Sequence, residues 1–317
     1  LEGSKIFAKQ FMKDHGIPTA SYHIVSSVSE TLQACENFFP PYVLKADGLA
    51  GGKGVFICHS RSELEEKSQF LFDKKALGLA GEKALLEDFQ KGTELSVFVI
   101  TDGKSYQFLP VARDYKRLYE GQKGPNTGGM GAVAPVSISL ELLKEIEDKI
   151  VKPTLEGLKK QDCVYRGVLY LGLMIHNNFP KVLEYNVRFG DPEAQVLLPL
   201  LEGSWLDVFY KTATAQPISL KWKKMYSACV VLCAENYPEG PLKTVPIEGL
   251  IYYTKGHSWF VHGSLARQDN QWFTKGGRVL NAVAIGNSQE EAVNRVYEHV
   301  KKISWLGMHY RKDIGLP

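Results

Sequence analysis

Short runs of apolar residues, many of them β-branched or aromatic, recur along the chain and are separated by turn residues. Such runs are typical of β-strands. The predicted strands are Tyr42–Ala46, Val55–His59, Ala84–Phe89, Leu95–Thr101, Tyr106–Ala112, Val168–His176, Lys181–Phe189, Ala228–Ala234, Leu250–Thr254 and Arg278–Ile285. Strands and helical segments do not alternate in a repeating order, so the pattern predicts an α+β fold with at least two sheets.

Residues that favour helix termini show where several helices begin and end. Ser4 can cap a helix that ends at Gly16, and the segment from about Leu140 to Lys160 has helical spacing although it contains Pro153. Three capping boxes predict further helix starts. These are Ser27-x-x-Glu30, Ser60-x-x-Glu63 and Ser288-x-x-Glu291.

A change in composition near Thr212–Lys224 indicates a domain boundary. We predict one domain over residues 1–217, which includes a small lobe over about residues 19–89. Residues 225–317 form a smaller α+β domain in this prediction. A chain of 317 residues is long enough for two such domains.

The composition excludes several classes of protein. The chain has 38 Lys and Arg against 35 Asp and Glu, and a net charge of +3 argues against an extended surface for nucleic acid. Its apolar runs are too short to cross a bilayer. The five cysteines are scattered and odd in number, which predicts reduced core thiols in a cytoplasmic protein. We expect a monomer without nucleic-acid or membrane partners.

The segment Lys45–Val55 is the first that suggests chemistry. It contains four glycines within seven residues, with Lys45 and Lys53 on either side of most of them. Glycines let backbone N–H groups approach an anion, and lysines add charge toward phosphate oxygens. The spacing is not that of a Walker A loop. The segment is therefore either a flap over a nucleotide or a flexible hairpin.

The strand around Glu184 has one polar face. Because side chains alternate along a strand, Glu184, Asn186 and Arg188 should project together, opposite an apolar face. A carboxylate and an amide oxygen two residues apart can bind Mg²⁺, and the arginine suits an anionic substrate. An ordinary solvent-facing strand is the alternative. Asp191 and Pro192 then predict an N-cap and the first position of a helix.

Two further segments are candidates for ligand binding. The strand that ends at Phe89 runs into the acidic turn Gly92-Thr93-Glu94, which can offer backbone hydrogen bonds to a purine and a carboxylate to a ribose. The nineteen residues Arg113–Gly131 show no regular pattern, and such loops are usually functional or disordered. Their basic residues and glycines fit an anion-binding loop.

These segments, in this order, resemble one family, the glycinamide ribonucleotide synthetases or phosphoribosylamine–glycine ligases of the ATP-grasp superfamily. The likeness covers nearly the whole chain and rests on six matching segments. They are Leu1-Glu-Gly-Ser-Lys, Lys45-Ala-Asp-Gly-Leu-Ala-Gly-Gly-Lys-Gly-Val, Gly124-Pro-Asn-Thr-Gly-Gly-Met-Gly-Ala, Val182-Leu-Glu-Tyr-Asn-Val-Arg-Phe-Gly-Asp-Pro-Glu, Gly276-Gly-Arg-Val-Leu and Tyr310-Arg-Lys-Asp-Ile-Gly.

The resemblance implies an ATP-grasp fold, in which two α+β lobes clasp ATP, and an enzyme of de novo purine biosynthesis. Members join glycine to 5-phosphoribosylamine through a glycyl phosphate and release ADP and phosphate. ATP and Mg²⁺ or Mn²⁺ are the implied cofactors. Two other functions are also compatible with these residues. The chain could be another ATP-grasp carboxylate ligase or carboxylase, or a non-catalytic ATP-binding fragment.

The resemblance also implies roles for single residues. Glu87, Asp88, Phe89 and Gln90 would form the adenine hinge, Glu94 would hold the ribose, and Glu184 and Asn186 would bind the metal ion. The phosphates would be faced by Lys45, Arg117 and Asn126, with Lys53 as a further candidate. Arg188 and Asp191 are assigned to the substrate side as catalytic residues, on their position as much as on the likeness.

The sequence departs from the family pattern in three places. The N-terminal domain that helps to bind phosphoribosylamine does not precede Leu1, so we expect this chain to bind ATP yet make little product. Arg113 and Tyr115 stand where the family usually has Gln and His. Glu235 and Asn236 replace small residues, and these last two departures concern only substrate detail.

Overall fold

The computed structural model describes residues 1–50, 54–250 and 256–316, which group into two compact units. Unit 1 comprises Leu1–Phe108, Ile138–Arg188 and Thr212–Gln216, and unit 2 comprises Leu109–Ser137, Phe189–Lys211 and Pro217–Pro317. The units interleave along the chain because two long segments leave unit 1 and return to it. The domain boundary near residues 217–225 stays a prediction.

The described residues form both helices and strands, as an α+β fold requires. The helices are α1 (Lys5–Asp14), α2 (Val28–Ala34), α3 (Arg61–Phe72), α4 (Leu140–Ile146), α5 (Lys152–Lys160), α6 (Glu193–Leu197), α7 (Trp205–Ala213) and α8 (Gln289–Val300). The strands are β1 (Tyr22–Val25), β2 (Tyr42–Ala46), β3 (Val55–Cys58), β4 (Ala84–Asp88), β5 (Thr93–Thr101), β6 (Tyr106–Phe108), β7 (Arg113–Asp114), β8 (Arg117–Tyr119), β9 (Lys123–Asn126), β10 (Gly131–Ala134), β11 (Gly167–His176), β12 (Phe179–Asn186), β13 (Tyr226–Cys233), β14 (Pro246–Ile247), β15 (Ser258–His262), β16 (Leu265–Gln268), β17 (Gln271–Thr274) and β18 (Arg278–Gly286).

Unit 1 contains two antiparallel sheets. One has the strand order β1-β4-β2-β3, and the other has the order β12-β11-β5-β6. The first sheet buries Val25, Leu44 and Leu86 together with Leu64 and Leu71 of α3. The two central strands, β2 and β4, are almost completely buried. Polar side chains on these two strands must therefore find partners inside the protein.

The predicted helix starts are confirmed. The hydroxyl groups of Ser4, Ser27, Ser60 and Ser288 each accept a hydrogen bond from the backbone N–H group three residues later. Each satisfies a donor that the first turn of a helix leaves without a partner. These contacts fix where α1, α2, α3 and α8 begin.

The predicted helix over residues 140–160 is confirmed, and the structure shows how it accommodates Pro153. Pro153 has no N–H group to donate to the preceding turn. A π-helical turn, Glu147–Val151, lies between α4 and α5, and the N–H group of Lys152 donates to Glu147 O. This wider turn precedes the proline, which lies in the first turn of α5.

The hairpin between β11 and β12 is tighter than predicted. Sequence predicts the loop Asn177–Pro180, but Phe179 pairs with His176 and Pro180 with Ile175. The turn consists of Asn177 and Asn178, whose φ angles are 49° and 61°. Asparagine tolerates this left-handed conformation, so the pair makes a two-residue turn of the kind that suits hairpins.

Unit 2 is built on a sheet with the strand order β15-β18-β13-β10-β7. Helix α8 packs on this sheet, and Val293 and Val296 share a buried cluster with Val230, Leu232 and Leu280. Strands β14, β17 and β16 form a second sheet. Most of the strand predicted at Leu250–Thr254 lies outside the described residues, and Leu250 itself is not in a strand.

The segment Arg113–Gly131 is ordered, and the prediction that it lacks regular structure is wrong. It contributes β7, the hairpin β8–β9 and the start of β10. The signal was weak because these strands have only two to four residues. Of the cysteines, Cys163 is exposed rather than in the core as predicted, and the other four are buried and free.

Among the described residues, no helix has both the length and the apolar character that crossing a bilayer requires.

Arg311 holds the C-terminal segment of unit 2 to the hairpin β8–β9. Its guanidinium is almost completely buried and makes two hydrogen bonds of 2.7 Å to the Asp313 carboxylate. It also donates to Arg117 O at 3.0 Å and to Gln122 Oε1 at 3.1 Å. This one side chain therefore joins two segments that lie far apart in sequence.

We expect Arg311→Met to lower the free energy of unfolding by about 2–4 kcal/mol, because the variant leaves Asp313 and two acceptors without their cation. Urea denaturation followed by circular dichroism measures the change. Lys312→Met is the matched control, since Lys312 is exposed, and it should change stability by less than about 0.5 kcal/mol. Equal stability of the two variants would contradict this role for Arg311.

Candidate functional site

A cluster of buried charges lies where α1 meets the first sheet of unit 1. Lys9 Nζ lies 3.1 Å from Glu87 Oε2, and Lys45 Nζ lies 2.9 Å from the same oxygen. Lys9 and Glu87 are each 2% exposed, and Lys45 is 10% exposed. One carboxylate therefore serves two ammonium groups inside the protein, and the cluster carries a formal charge of +1 when both lysines are protonated.

The environment of Lys9 lowers its pKa. Burial lowers the pKa of Lys9 to about 8, although the Glu87 carboxylate opposes the shift. Its ammonium group also donates to Thr19 Oγ1 at 2.7 Å and to Ala20 O at 3.3 Å. Glu87 Oε1 is buried and accepts no hydrogen bond from the described residues. Within the described part of the chain, the carboxylate is thus held through one oxygen.

Lys5 lies one helical turn before Lys9, on the same face of α1. Its Nζ donates to Ala46 O at 2.8 Å and to Gly48 O at 3.1 Å, at the start of the glycine-rich segment. Burial lowers the pKa of Lys5, and the charge of Glu184 is the largest influence that opposes the shift. Sequence reasoning gave Lys5 no role. Its place directly after the capping Ser4, in a segment that matches the family, was the available signal.

Lys45 connects the two sheets of unit 1. Besides Glu87, its ammonium group donates to Leu183 O at 3.2 Å. The register between β11 and β12 shifts at Leu183, since Leu173 pairs with Val182 and Gly172 pairs with Glu184. A bulge leaves its extra residue outside the ladder, which makes this carbonyl available. Lys45 therefore lies beside the strand that carries Glu184.

Glu184 and Asn186 project from the same face of β12, as predicted. They pair with Gly172 and Tyr170, respectively, of β11. A Cβ atom on Gly172 would lie 3.1 Å from Glu184 Cγ and 3.3 Å from the Tyr170 hydroxyl oxygen. Gly172 thus leaves the space that the Glu184 side chain occupies. Both predicted metal ligands are partly buried.

The prediction that Arg188 and Val187 continue this strand is wrong. Strand β12 ends at Asn186, because Glu2 takes the place of a further strand partner. Its carboxylate accepts from Val187 N at 2.9 Å and pairs with Arg188 Nη2 at 2.8 Å. Val187 is 44% exposed and does not extend the buried face.

The predicted hinge residues have different environments. Glu87 has its side chain in the buried charge cluster, and Asp88 ends β4, where its N–H group donates to Ser21 O at 3.1 Å. Phe89 is exposed, and Gln90 Nε2 donates to Asp88 O at 3.3 Å. Asp88, Phe89 and Gln90 therefore lie where the chain leaves the sheet.

Glu94 lies near the start of β5, after a turn that depends on Gly92. Gly92 has a φ angle of 145°, and a Cβ atom there would lie 2.2 Å from Ile175 O. Only glycine fits this close approach. Glu94 is partly exposed and pairs with Met174, so its carboxylate lies at the beginning of the second sheet.

The described residues at both ends of the glycine-rich segment are held by backbone hydrogen bonds. Ala46 N donates to Gly54 O at 2.8 Å, Asp47 N to Lys83 O at 3.0 Å, and Gly48 N to Ala80 O at 3.0 Å. Strands β2 and β3 pair directly on either side of it. Lys53 lies outside the described residues, so its role stays a prediction.

Arg117 and Asn126 are partners in the hairpin β8–β9 of unit 2. They lie opposite each other in its register, and Arg117 Nη1 donates to Gly124 O at 2.8 Å. Thr127 closes the hairpin by donating from its N–H and hydroxyl groups to Lys116 O, each at 2.8 Å. The sequence prediction thus selected two residues that the fold brings together.

Asp191 does not cap a helix, so this prediction is wrong. Helix α6 begins at Glu193, with Pro192 at the N-cap position. Instead, Asp191 Oδ2 lies 3.0 Å from Arg278 Nη2, and Asp191 Oδ1 accepts from Gln195 Nε2 at 2.8 Å.

Arg278 joins two of the family-like segments within unit 2, and sequence reasoning gave it no role. Its Nη1 donates to Asp191 O and to Gly128 O, each at 2.7 Å. It therefore connects the Asp-Pro-Glu segment to the Gly124–Gly131 segment. Its position in the matching Gly276-Gly-Arg-Val-Leu segment was the only signal.

The described residues contain no group of three or more His, Cys, Asp or Glu side chains that could hold a metal ion. Burial raises the pKa of Cys233 to about 12 and also raises the pKa of Cys229, which agrees with core thiols and not with zinc ligands. A site at Glu184 and Asn186 would have to suit a cation that takes few protein ligands, as Mg²⁺ does.

Two family models match the chain. Residues 3–194 match the model described as phosphoribosylglycinamide synthetase, ATP-grasp (A) domain. Residues 227–317 match the model described as phosphoribosylglycinamide synthetase, C domain. Together they cover most of the sequence, including every predicted site residue.

Full-length relatives agree with these matches. The chain is 41% identical over 324 residues to the phosphoribosylamine–glycine ligase of Thermotoga maritima, and the alignment covers 100% of this chain and 78% of the relative. It is 40% identical to the human trifunctional purine biosynthetic protein adenosine-3 over 99% of this chain and 32% of the relative.

Solved structures show the same fold. The crystal structure of the Thermotoga maritima phosphoribosylamine–glycine ligase matches with a TM-score of 0.90 and 38% identity, over 99% of this chain and 78% of that one. The biotin carboxylase domain of the Hydrogenobacter thermophilus 2-oxoglutarate carboxylase matches with a TM-score of 0.69 and 20% identity, over 97% of this chain and 67% of that one. The second likeness concerns the fold alone, and together they confirm the predicted ATP-grasp fold.

We expect Glu87→Gln to lower the free energy of unfolding by about 3–5 kcal/mol, because it leaves two buried ammonium groups without a counter-charge. Denaturation in urea at pH 7 measures the loss. Glu65→Gln is the matched control on exposed α3 surface and should change stability by less than about 0.5 kcal/mol. A Glu87→Gln variant as stable as this control would show that the cluster does not need its carboxylate.

Proposed function

The chain belongs to the phosphoribosylglycinamide synthetase family, and on that premise we propose that it is an ATP-dependent ligase that joins glycine to 5-phosphoribosylamine. The products are glycinamide ribonucleotide, ADP and phosphate, in purine biosynthesis. The identity of 41% to a phosphoribosylamine–glycine ligase along the whole chain carries this proposal. The buried cations of unit 1 and the polar face of β12 support it.

The first chemical step activates the glycine carboxylate. One carboxylate oxygen attacks the γ-phosphorus of ATP, the bond to the β-phosphate oxygen breaks, and ADP leaves with that electron pair. The product is a glycyl phosphate, whose phosphate is a good leaving group. No protein nucleophile is needed, so the protein contributes position and charge.

The second step forms the amide bond. The amine of phosphoribosylamine attacks the acyl carbon, the C–O bond to the phosphate breaks, and the amine loses a proton to water or to the departing phosphate. The atoms balance without a further reactant. Water must be kept from the same carbon, because its attack would return glycine and phosphate.

Lys45 and Lys5 are the cations of unit 1 that we assign to the nucleotide phosphates. Each ammonium group has backbone oxygen partners, which hold it in place before a ligand arrives. Their fixed charges would oppose the negative charge of the triphosphate at little further ordering cost. Lys53, Arg117 and Asn126 stay predictions for the same role.

Glu184 and Asn186 fit a divalent cation by their chemistry. A carboxylate and an amide oxygen on one strand face are hard ligands of the kind that Mg²⁺ and Mn²⁺ prefer, and Gly172 leaves room for Glu184. The cation, when bound, would neutralise phosphate charge. These two residues would supply its protein ligands, and substrate oxygens and water would supply the others.

The residues at the end of β4 and directly after it suit the adenosine part of the nucleotide. Asp88, Phe89 and Gln90 lie where the backbone leaves the sheet, which can expose N–H and carbonyl groups to a purine edge. We assign Glu94 to the ribose hydroxyls. Glu87 acts here through its backbone at most, because its carboxylate is in the charge cluster.

Arg188 and Asp191 stay proposals for the substrate side. Arg188 pairs with Glu2 and is 59% exposed, so a substrate anion would compete with that carboxylate. Asp191 is held by Arg278 and Gln195. Both side chains are therefore held in place, which suits either direct contact with a substrate or the positioning of another group. A monomeric state and a cytoplasmic location also stay predictions.

The function can be tested without the amine substrate. Hydroxylamine traps acyl phosphates as hydroxamates, so the chain, ATP, Mg²⁺, glycine and hydroxylamine should give ADP and glycine hydroxamate in equal amounts. A second arm measures glycinamide ribonucleotide from phosphoribosylamine, with the chain alone and fused to the segment of the Thermotoga maritima ligase outside the match. Absence of glycine-dependent ADP release in every arm would contradict the proposal.

We expect Glu184→Gln to weaken ATP binding in the presence of Mg²⁺ by roughly tenfold or more, because a neutral amide replaces the anionic ligand. Without Mg²⁺ the loss should disappear. Calorimetry with and without the metal measures both affinities, and the exposed Glu156→Gln is the matched control. Equal losses with and without Mg²⁺ would contradict the metal site.

We expect Gly172→Ala to have a similar effect through displacement of Glu184. The new methyl group would meet Glu184 Cγ at 3.1 Å, so the carboxylate must move while its charge is kept. The expected loss is about tenfold in Mg²⁺-dependent ATP affinity, measured by the same calorimetry. An affinity equal to that of the unaltered chain would show that the position of Glu184 is not critical.

A further inference from the structure

The buried cluster of unit 1 has more positive than negative charge. Lys9 and Lys45 share Glu87 Oε2 at 3.1 Å and 2.9 Å, so one anion faces two cations. A buried charge without a counter-ion is costly. The cluster therefore favours either the loss of a proton or the arrival of an anion.

Lys9 and Lys45 differ in what they can reach. Lys9 is 2% exposed and is enclosed by Glu87, Thr19 and Ala20, with the Tyr22 ring 5.7 Å from its Nζ. Lys45 is 10% exposed and lies beside Leu183, next to Glu184. A ligand can thus contact Lys45 directly. Lys9 cannot reach the ligand and influences it through Glu87, which both lysines share.

We propose that Lys9 is a positioning residue for nucleotide binding, which by sharing Glu87 with Lys45 keeps the Lys45 ammonium group available to a phosphate oxygen. Without Lys9, the carboxylate and Lys45 would form a neutral closed pair. The inference rests on the proposed nucleotide site, because it concerns the charge that this site offers to ATP.

A proton is linked to binding in this arrangement. The pKa of Lys9 is lowered to about 8 by burial, against the pull of Glu87, while Lys45 and Lys181 add to the lowering. Below this value Lys9 carries its proton and the cluster carries its extra charge. An anion at Lys45 favours the protonated form, so binding takes up protons near pH 8, and ATP affinity falls as the pH rises through that value.

The test uses four forms of the chain, in which the charge of the cluster is unaltered, removed, restored, or left alone as a control. The unaltered cluster has a formal charge of +1, Lys9→Met gives 0, and the double variant Lys9→Met/Glu87→Gln returns it to +1. Lys13→Met is the control, since Lys13 is an exposed lysine on the same helix. Thermal unfolding first establishes that each form is folded at the assay temperature.

ATP affinity with Mg²⁺ is measured by calorimetry from pH 7 to pH 9.5, in buffers of different ionisation enthalpy, which reports the protons taken up. We expect Lys9→Met to bind ATP about five- to tenfold more weakly at pH 7 and to lose the fall in affinity centred near pH 8. The double variant should recover most of the ATP affinity, and its affinity should still show no fall near pH 8. Lys13→Met should stay within about twofold of the unaltered chain.

The outcomes separate this inference from the function on which it rests. A Lys9→Met chain with the unaltered affinity and pH dependence would overturn the role of Lys9 and leave the ATP site intact. A double variant that binds ATP more weakly than Lys9→Met would show that Lys9 is merely structural, since restoring the charge would not have restored binding. An unaltered chain that binds no ATP at all would overturn the proposed function together with this inference.

Discussion

The ion pairs of Glu87 hold together the part of unit 1 on which the candidate site depends. The carboxylate is on the buried strand β4, and its partners come from α1 and from the neighbouring strand β2. Lys45 extends the connection to the bulge at Leu183, beside Glu184. Because a buried carboxylate needs cations and buried cations need a carboxylate, these charged side chains connect the helix, both sheets and the polar strand face.

Local patterns in the sequence predicted the elements well. A serine three residues before a glutamate places the start of a helix, because the capping contact involves only neighbouring residues, and each such start is confirmed. Alternation placed Glu184 and Asn186 on one face, because the strand imposes that geometry. It failed at Arg188, where Glu2 replaces the strand partner, since no local pattern shows a contact between residues so far apart.

The residues that sequence reasoning missed act through distant partners. Lys5 and Lys9 look like ordinary helix lysines until the fold places them against β2 and β4. Arg278 and Arg311 each bond to a segment more than 80 residues away. The sequence shows that these side chains are cations, whereas the partners that they bind follow from the tertiary structure. The resemblance to a family supplied roles for Lys45, Glu94 and Glu184 that the residue patterns alone left open.

On this account, the chain activates glycine by transferring the γ-phosphoryl group of ATP to an oxygen of the glycine carboxylate. The direct test supplies glycine labelled with ¹⁸O at both carboxylate oxygens, together with ATP, Mg²⁺ and excess hydroxylamine, which attacks the acyl carbon so that the C–O bond to the phosphate breaks, and determines the isotope content of the phosphate by mass spectrometry. We expect one ¹⁸O atom in each phosphate released in the glycine-dependent reaction. Glycine-dependent release of phosphate without ¹⁸O would contradict the claim.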